Sequence, residues 1–381
     1  MKLAISIAGT DRGESGIGTY VREMVPRIAR ALAARGGVTR VYGTGADLEA
    51  YADVLGEVET STLPDVVDAP GASAAYHLAM LPERAKREGS DVLLLPAANR
   101  RMPFYARIPT VGVVHDLAQR HVHDKYDPFR MAYFEHVLLP ALARAPKLVA
   151  VSEATRNDLA DAIHREPSAI DVVTNGVDVE RFRAMSIDAA RASLAELDLV
   201  LPERYVLYVS RLEAPGKNHV RLVEAFARSE RLAGHHLVLA GKDWGARDAI
   251  LRAAERHGVE ARVKFLGFVP SEAIPPLMAA SELVTMVGLF EGFGLPALEA
   301  LSMGIPVVAS STGALPEVVG PLGALCHPHD VDSMRSALER AAFDPAFRAR
   351  VLEEGPAWAA ARSWDGSAEA LLASCIAAGE A

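Results

Sequence analysis

Apolar runs of strand length alternate with amphipathic, helix-length stretches from one end of the 381-residue chain to the other. The run KLAISIAG is followed by VREMVPRIARALAARG, and TVGVVHD, KLVAVS and IDVVTNGV (170–177) continue the series. The pattern then restarts with YVLYVS, HHLVLAG, RVKFLGF, ELVTMV, IPVVAS and GALCHP. Strands that are apolar at nearly every position are buried on both faces, and the intervening helices supply the crossovers that parallel strands require. The sequence therefore predicts an α/β protein of two Rossmann-like, doubly wound parallel sheets. VDVERFRAMSIDAARASLAELDLVLPER (177–204) lacks a strand, so the boundary is set there: residues 1–180 form the first domain and 181–360 the second. The tail after Gly355 reads as helical, with Trp358 and Trp364 as packing anchors. Open parallel sheets bind ligands beyond the carboxyl ends of their strands, so two such sheets facing each other are expected to line a cleft.

Composition narrows the field. With half of its residues hydrophobic, a chain of this length can bury two cores. A formal charge of −9 argues against a nucleic-acid binder, which would show a basic balance or stripe. Cys326 and Cys375 are the only cysteines, too few for a disulfide framework or a thiolate zinc site, which favours a reducing cytoplasm. The opening MKLAISIAG is too short an apolar run for a signal peptide, and no stretch approaches the ~20 apolar residues that span a bilayer. A soluble or peripherally attached protein is expected. Arg84, Lys86, Arg87, Arg100, Arg101, Arg107, Arg120, Lys125 and Arg130 crowd the first domain. They suit a lipid diphosphate or an anionic membrane surface at the inner face, and equally a solvated face, because acidic residues are interspersed.

Chemistry concentrates in LFEGFGLPALEALSMGIPVVAS, residues 289–310. Pro296 suits the first turn of a helix and Gly304 the position just past its end, so a helix is predicted over roughly 296–303. Its amino end carries unpaired N–H groups and the positive end of the macrodipole, and Gly292 and Gly294 admit a ligand close to that backbone. Glu291 on the loop and Glu299 one turn into the helix reach the same space from different heights. Carboxylates beside an anion site are suited to a ligand with both hydroxyls and phosphates, such as a nucleotide sugar.

A second cluster is VSRLEAPGKNHVRLVEAF (209–226), where a strand delivers Arg211 to the carboxyl edge and a Pro215-Gly216 turn sets Lys217 and Asn218 at the next helix start. Paired cations there neutralise a diphosphate and the charge that develops on it as a leaving group. GTDRGESGIGTYV (9–21) reads as a Gly-rich loop between the first strand and first helix; Gly16 and Gly18 fit a tight turn near a phosphate or sugar, or a purely structural turn. It lacks the third glycine of G-x-G-x-x-G. His115 and Asp116 end a strand, where a histidine can bond a sugar hydroxyl or a reacting oxygen. His121, His123 and Asp124 look metal-like but have no further ligand nearby in sequence. Asp330-Val331-Asp332 reads as a helix cap rather than a metal-nucleotide motif, and Ser152 as a cap rather than a nucleophile, since no G-x-S-x-G elbow is present.

Taken together, EGFGLPALEA, SRLEAPGKNH, VVHD, SGIGTYV, VAVSEAT and TNGVD resemble, in order, the retaining glycosyltransferases of family four, which have the GT-B fold. The likeness covers nearly the whole chain and leans toward bacterial surface-polysaccharide enzymes. It implies that Arg211 and Lys217 hold the donor diphosphate, with Asn218 beside them, and that Glu291 meets the donor sugar's hydroxyls. It further implies backbone N–H contacts from Phe293, Gly294 and Leu295, a ribose contact from Glu299, and contact with the base near Val269. Gly16 and Gly18 would line the cleft near the phosphates and acceptor, and His115 would touch the donor sugar. The resemblance also implies that the first domain takes the acceptor and the second the nucleotide sugar, and that a final helix, 361–381, crosses back onto the first domain.

The departures are Val287-Gly288, where the family more often has Pro-Ser, and Ser15, where a glycine is frequent. The expected reaction moves a hexose, mannose- or glucose-type, from a nucleotide diphosphate donor to a hydroxyl of a saccharide or lipid-linked saccharide, with retention and without metal or other cofactor. The alternatives are a nucleotide-sugar 2-epimerase on the same scaffold and a non-catalytic nucleotide-sugar-binding subunit.

Overall fold

The structure is a computed structural model and describes residues 1–13, 15–56, 58–122 and 126–380. His123, Asp124 and Lys125, singled out above, lie outside the described residues. The first sheet contains β1 (Lys2–Ser6), β2 (Val38–Gly43), β3 (Glu59–Thr62), β4 (Val92–Leu95), β5 (Thr110–Val114), β6 (Lys147–Ala150) and β7 (Asp171–Val172). The second contains β8 (Tyr205–Val209), β9 (His236–Ala240), β10 (Val263–Gly267), β11 (Leu283–Met286), β12 (Val307–Ser310) and β13 (Gly323–Cys326). Their orders are β3-β2-β1-β4-β5-β6-β7 and β10-β9-β8-β11-β12-β13. Every pairing within both sheets is parallel.

Central strands behave as their composition requires: every residue of β4, β5, β11 and β12 is buried. Each buried Leu or Val stabilises the fold by about 1.5–3 kcal/mol relative to exposure. The direction of winding reverses between β1 and β4 in one sheet and between β8 and β11 in the other. Those reversals open crevices at the carboxyl edges, the usual ligand positions in open parallel sheets.

The chain divides into a unit of Met1–Gln119, Tyr126–Gly176 and Ser363–Ala381 and a unit of Arg120–Lys125 and Val177–Arg362. The final helix, Trp364–Glu380, belongs to the first unit and packs on the helix Gly16–Ala33. Trp364 is 4% exposed and meets Tyr20 edge-on at 6.1 Å. Ser374 Oγ donates to Asp171 Oδ2 at 2.6 Å, and Ser367 Oγ to the Thr174 carbonyl at 2.6 Å.

Two expectations about local structure are corrected. IDVVTNGV contributes only Asp171 and Val172 to the sheet. The chain leaves the ladder after Val173 bonds the Ala150 carbonyl, because Gly176 must pass the backbone of Ser363 and Trp364; a Cβ at 176 would lie 2.2 Å from the Trp364 nitrogen. Gly16-Ile17-Gly18 is not loop but the first turn of the helix Gly16–Ala33. Gly18 is there because a Cβ would lie 2.4 Å from the Gly13 Cα, so the glycine pair lets the preceding loop fold against the helix.

Candidate functional site

At the carboxyl edge of the second sheet the chain leaves β8 and turns through Arg211–Asn218. Asn218 adopts the left-handed conformation (φ 61°) just before the helix His219–Ala227. Asparagine tolerates that geometry better than most residues. Its side chain is spent internally: Nδ2 donates to the carbonyls of Val287 at 3.0 Å and Pro328 at 2.7 Å, and Oδ1 accepts from Arg221 at 2.9 Å. Tyr208, buried and with its phenol pushed well above the usual range by that burial, donates to the Lys217 carbonyl at 3.0 Å. Lys217 is thereby fixed through its own backbone and the side chain of its neighbour.

The loop after β11 is braced from three sides. Leu289 N–H donates to the Gly216 carbonyl at 2.8 Å, tying it to the Lys217 turn. Ser310 and Thr312 hydroxyls donate to the carbonyls of Gly288 and Leu289, and the Ala314 N–H donates to the Glu291 carbonyl at 2.9 Å. The result is a two-pronged ion pair: Lys217 Nζ lies 2.8 and 2.9 Å from the two carboxylate oxygens of Glu291. The side chains are only 19% and 12% exposed. Gly288 makes room for this carboxylate, since a Cβ there would lie 2.6 Å from Glu291 Oε1.

Beyond Glu291, Gly294 (φ 98°) turns the chain into the helix Leu295–Ser302, close to the predicted 296–303. A Cβ at 294 would also strike Leu315, 2.5 Å away. No side chain caps this helix; Pro296 has no N–H and the Ala297 N–H donates to the Gly294 carbonyl at 3.0 Å, so what the helix start offers an anion is the backbone leading into it and the positive end of its dipole. The Phe293 and Leu295 side chains are buried, which leaves their backbones as what they offer at the helix start, and Glu299 is half-buried on the next turn. Gly304 (φ 70°) closes the helix, with Gly304 N–H bonded to the Leu301 carbonyl and Ile305 N–H to that of Ala300.

Arg211 is held by two contacts. Its guanidinium lies 3.5 Å from the Glu213 carboxylate and 4.5 Å from the centre of the Trp244 ring. Trp244 is placed by reciprocal backbone bonds, Leu212 N–H to the Lys242 carbonyl and Trp244 N–H to the Leu212 carbonyl, each 2.9 Å. Asp243 then caps the following helix through Gly245, Ala246 and Arg247. Sequence reasoning missed Trp244, although an aromatic in LAGKDWG just past an apolar strand was the available signal. Half of Trp244 is exposed. Val269, buried, follows β10 on the neighbouring loop. His121, counted with this unit, stacks on Phe290 at 4.0 Å, beside Glu291.

In the first unit, His115 follows β5 directly as a buried residue whose Nε2 lies 2.7 Å from the Pro96 carbonyl. A carbonyl only accepts, so this nitrogen carries the proton and the imidazole is the neutral Nε2–H tautomer. Burial lowers its pKa to about 4. Tyr20 meets the ring edge-on at 4.7 Å. Above Gly16 there is open space, whereas Gly18 faces Gly13.

Four of the nine basic residues named above are engaged within the fold in this way: Arg84 with Glu88, Arg100 with Asp11, Arg107 with Glu83, and Lys86 with the Arg107 carbonyl. Asp330 caps its helix through Asp332 and Ser333, and Ser152 caps through Thr155, as their positions predict. Among the described residues no group of three or more His, Cys, Asp or Glu is arranged to hold a metal ion. No helix there is long and apolar enough to cross a membrane. A cavity of about 620 Å³ bordered by Val200, His236, Arg247 and Phe265 contains none of the predicted site residues.

Two parallel sheets, with a glutamate pair and two cations at the carboxyl edge of the second, define a glycosyltransferase of the GT-B type. Residues 15–181 match the family described as Glycosyltransferase Family 4, and 191–358 that described as Glycosyl transferases group 1. The chain is 31% identical over 263 residues to the O-antigen chain mannosyltransferase B of Escherichia coli, covering 67% of each. It is 36% identical over 237 residues to the D-inositol 3-phosphate glycosyltransferase of Mycolicibacterium paratuberculosis, covering 60% of this chain and about half, 52%, of that one. The crystal structure of Anabaena HepE in complex with UDP and glucose superposes with a TM-score of 0.75 over 99% of both chains, at 22% identity. The chain belongs to glycosyltransferase family 4 and is, at that level, a hexosyltransferase.

Proposed function

We propose that the protein transfers a mannose- or glucose-type hexose from a nucleotide diphosphate sugar to a hydroxyl of a saccharide or lipid-linked saccharide, with retention and without a metal. The observation that carries this reading is Lys217 Nζ set between both oxygens of Glu291, on the loop that leads into an uncapped helix start. Arg211, Lys217 and the helix Leu295–Ser302 supply positive charge for the diphosphate, and Glu291 and Glu299 supply acceptors for sugar and ribose hydroxyls. Asn218 serves this site by positioning Lys217 through Val287 and Pro328. UDP and glucose bound to HepE support a nucleotide-sugar donor, and the O-antigen relative supports a place in bacterial polysaccharide or glycolipid synthesis. That setting implies the cytoplasmic side, with peripheral contact at the inner face of the membrane.

In the proposed step the acceptor oxygen bonds the anomeric carbon on the face from which the diphosphate leaves. The bond from that carbon to the phosphate oxygen breaks, and the acceptor's proton passes to the departing phosphate. A carboxylate paired at both oxygens to Lys217 is a poor nucleophile, which supports this route over a glycosyl-enzyme on Glu291. Catalysis then rests on positioning and on stabilisation of the leaving group.

Thermal shift against UDP-, GDP-, ADP- and dTDP-sugars, with and without magnesium, tests the donor site. Stabilisation by one nucleotide to the same extent with EDTA is expected. Absence of any shift would remove the diphosphate site, and donor turnover without an acceptor would favour the epimerase.

A further inference from the structure

The loop between β4 and β5 holds two adjacent arginines in unequal circumstances. Arg100 donates to both oxygens of Asp11, at 2.5 and 2.8 Å, and to the Gly9 carbonyl at 3.0 Å. Arg101 makes no ion pair among the described residues. Its one bond is a long one, 3.4 Å from NH1 to the same Gly9 carbonyl, and its Nε is buried with no partner. The guanidinium lies against Gly9, where a Cβ would stand 1.6 Å from NH1. Asp11 and Asp47 are within electrostatic range of Arg101, but Arg100 engages the first and Arg12, at 2.9 Å, the second. Next to this pair in sequence, Asn99 is 8% exposed and its amide oxygen has no partner.

A half-buried cation without a counterion among the described residues is costly, and burial together with Arg100 lowers the pKa of Arg101. Such a group is relieved by a ligand that brings the missing charge, and a guanidinium fork matches a phosphate or carboxylate. An unpartnered amide oxygen accepts from a hydroxyl. The loop lies at the carboxyl end of β4, at the winding reversal of the first sheet, and its Pro96 carbonyl is the one that holds His115. The geometry points to Asn99 and Arg101 as the anion-recognition element of the acceptor site: the acceptor is a saccharide that bears an anionic group, a phosphate or a carboxylate. This rests on the reading that the first unit takes the acceptor.

Thermal shift and calorimetry of the full chain compare wild type with Arg101→Met. The probes are inorganic phosphate, glucose 6-phosphate and glucuronate, against glucose and sodium chloride at equal ionic strength. The anions also meet the donor site, and the difference between the two proteins isolates Arg101. Wild type is expected to bind glucose 6-phosphate or glucuronate about ten- to a hundredfold more tightly than Arg101→Met does, the scale of losing hydrogen bonds to a charged group. Nucleotide-induced shifts stay equal in the two proteins, which keeps this test separate from that of the donor site.

Phosphatidylcholine vesicles with and without phosphatidylglycerol distinguish a lipid-borne anion from a free one. The lipid-borne case gives Arg101-dependent sedimentation, and the free case gives binding of the soluble probes alone. Equal affinities of wild type and variant for every anion overturn the proposal. If Arg101→Met does not fold, Arg101→Lys, which keeps the charge and loses the fork, is expected to show an intermediate loss, and unchanged binding by it counts against the proposal.

Discussion

Replacing Lys217 by Met removes the ammonium while keeping most of the side-chain length, and the geometry separates two consequences. The first is on stability. Removing one partner of a fully buried ion pair costs about 3–5 kcal/mol, and of an exposed pair about 0–1 kcal/mol. With side chains 19% and 12% exposed and two contacts of 2.8 and 2.9 Å, Lys217→Met leaves the Glu291 carboxylate unpaired at a cost of about 2 kcal/mol. At a few degrees per kcal/mol for a domain of this size, the melting temperature falls by roughly 4–8 °C. The second consequence is on rate. A preorganised donor to a departing charge contributes about 10²–10³ in kcat.

Glu291→Gln on the Lys217→Met background tells the two apart. A neutral amide needs no counterion, so the double variant is expected to recover most of the lost melting temperature. Turnover stays down by the full factor, because the diphosphate still lacks its cation. The assay is nucleoside diphosphate release under single-turnover conditions, beside differential scanning calorimetry, on wild type, Lys217→Met and the double variant. If turnover returned with stability, Lys217 would only be neutralising Glu291, and its assignment to the leaving group would be wrong.

Gly288→Ala is expected to lower kcat at least tenfold while moving the melting temperature little, because the new Cβ comes nearest the end of the Glu291 side chain, 2.6 Å away, and stands 3.3 Å from the Gly216 carbonyl oxygen; wild-type kinetics would show that the carboxylate's place is not critical. Trp244→Ala should weaken nucleotide affinity by about two- to thirtyfold, the range of a cation–π contact on Arg211, with Trp244→Phe close to wild type in calorimetric Kd. Burial holds His77 and His115 at about pH 4 and His219 at about 3, below the ~6.5 of an unfolded chain. Below pH 6.5 the unfolded state therefore binds the extra protons, and stability present above that pH is lost toward 4, at up to about 1.4 kcal/mol per pH unit for each histidine. A melting temperature that is flat between pH 7 and 5 would contradict it.

The features legible in the sequence are those set by neighbours along the chain. Continuous apolar runs marked the buried parallel strands, and Gly304, Asp330 and Ser152 marked helix ends, because caps are decided within a turn or so of backbone. Strands that break the apolar rule were overlooked: β3, ETST, is a mostly exposed edge, and β2 alternates partly exposed with buried positions. The strand β4, VLLL, was passed over because four residues do not distinguish a strand from a helix by period.

At the candidate site, the chemical types were legible but the division of labour was not, and sequence separation is the reason. Lys217 and Glu291 are 74 residues apart, and the two carbonyls that hold Asn218 are 69 and 110 residues away. Asn218 and Lys217 stand side by side in the sequence as two polar candidates. Only the strand order, with β11 beside β8, brings Val287 to Asn218 and Glu291 to Lys217, making Asn218 a positioner and Lys217 the charge of the site. The same logic separates Arg100 from Arg101, where Asp11, brought by the loop after β1, satisfies one guanidinium and leaves its neighbour with no ion pair among the described residues. A residue's role at such an edge is therefore fixed by what the adjacent strands deliver to it, and a group left without its partner is more informative about the ligand than one that has found it.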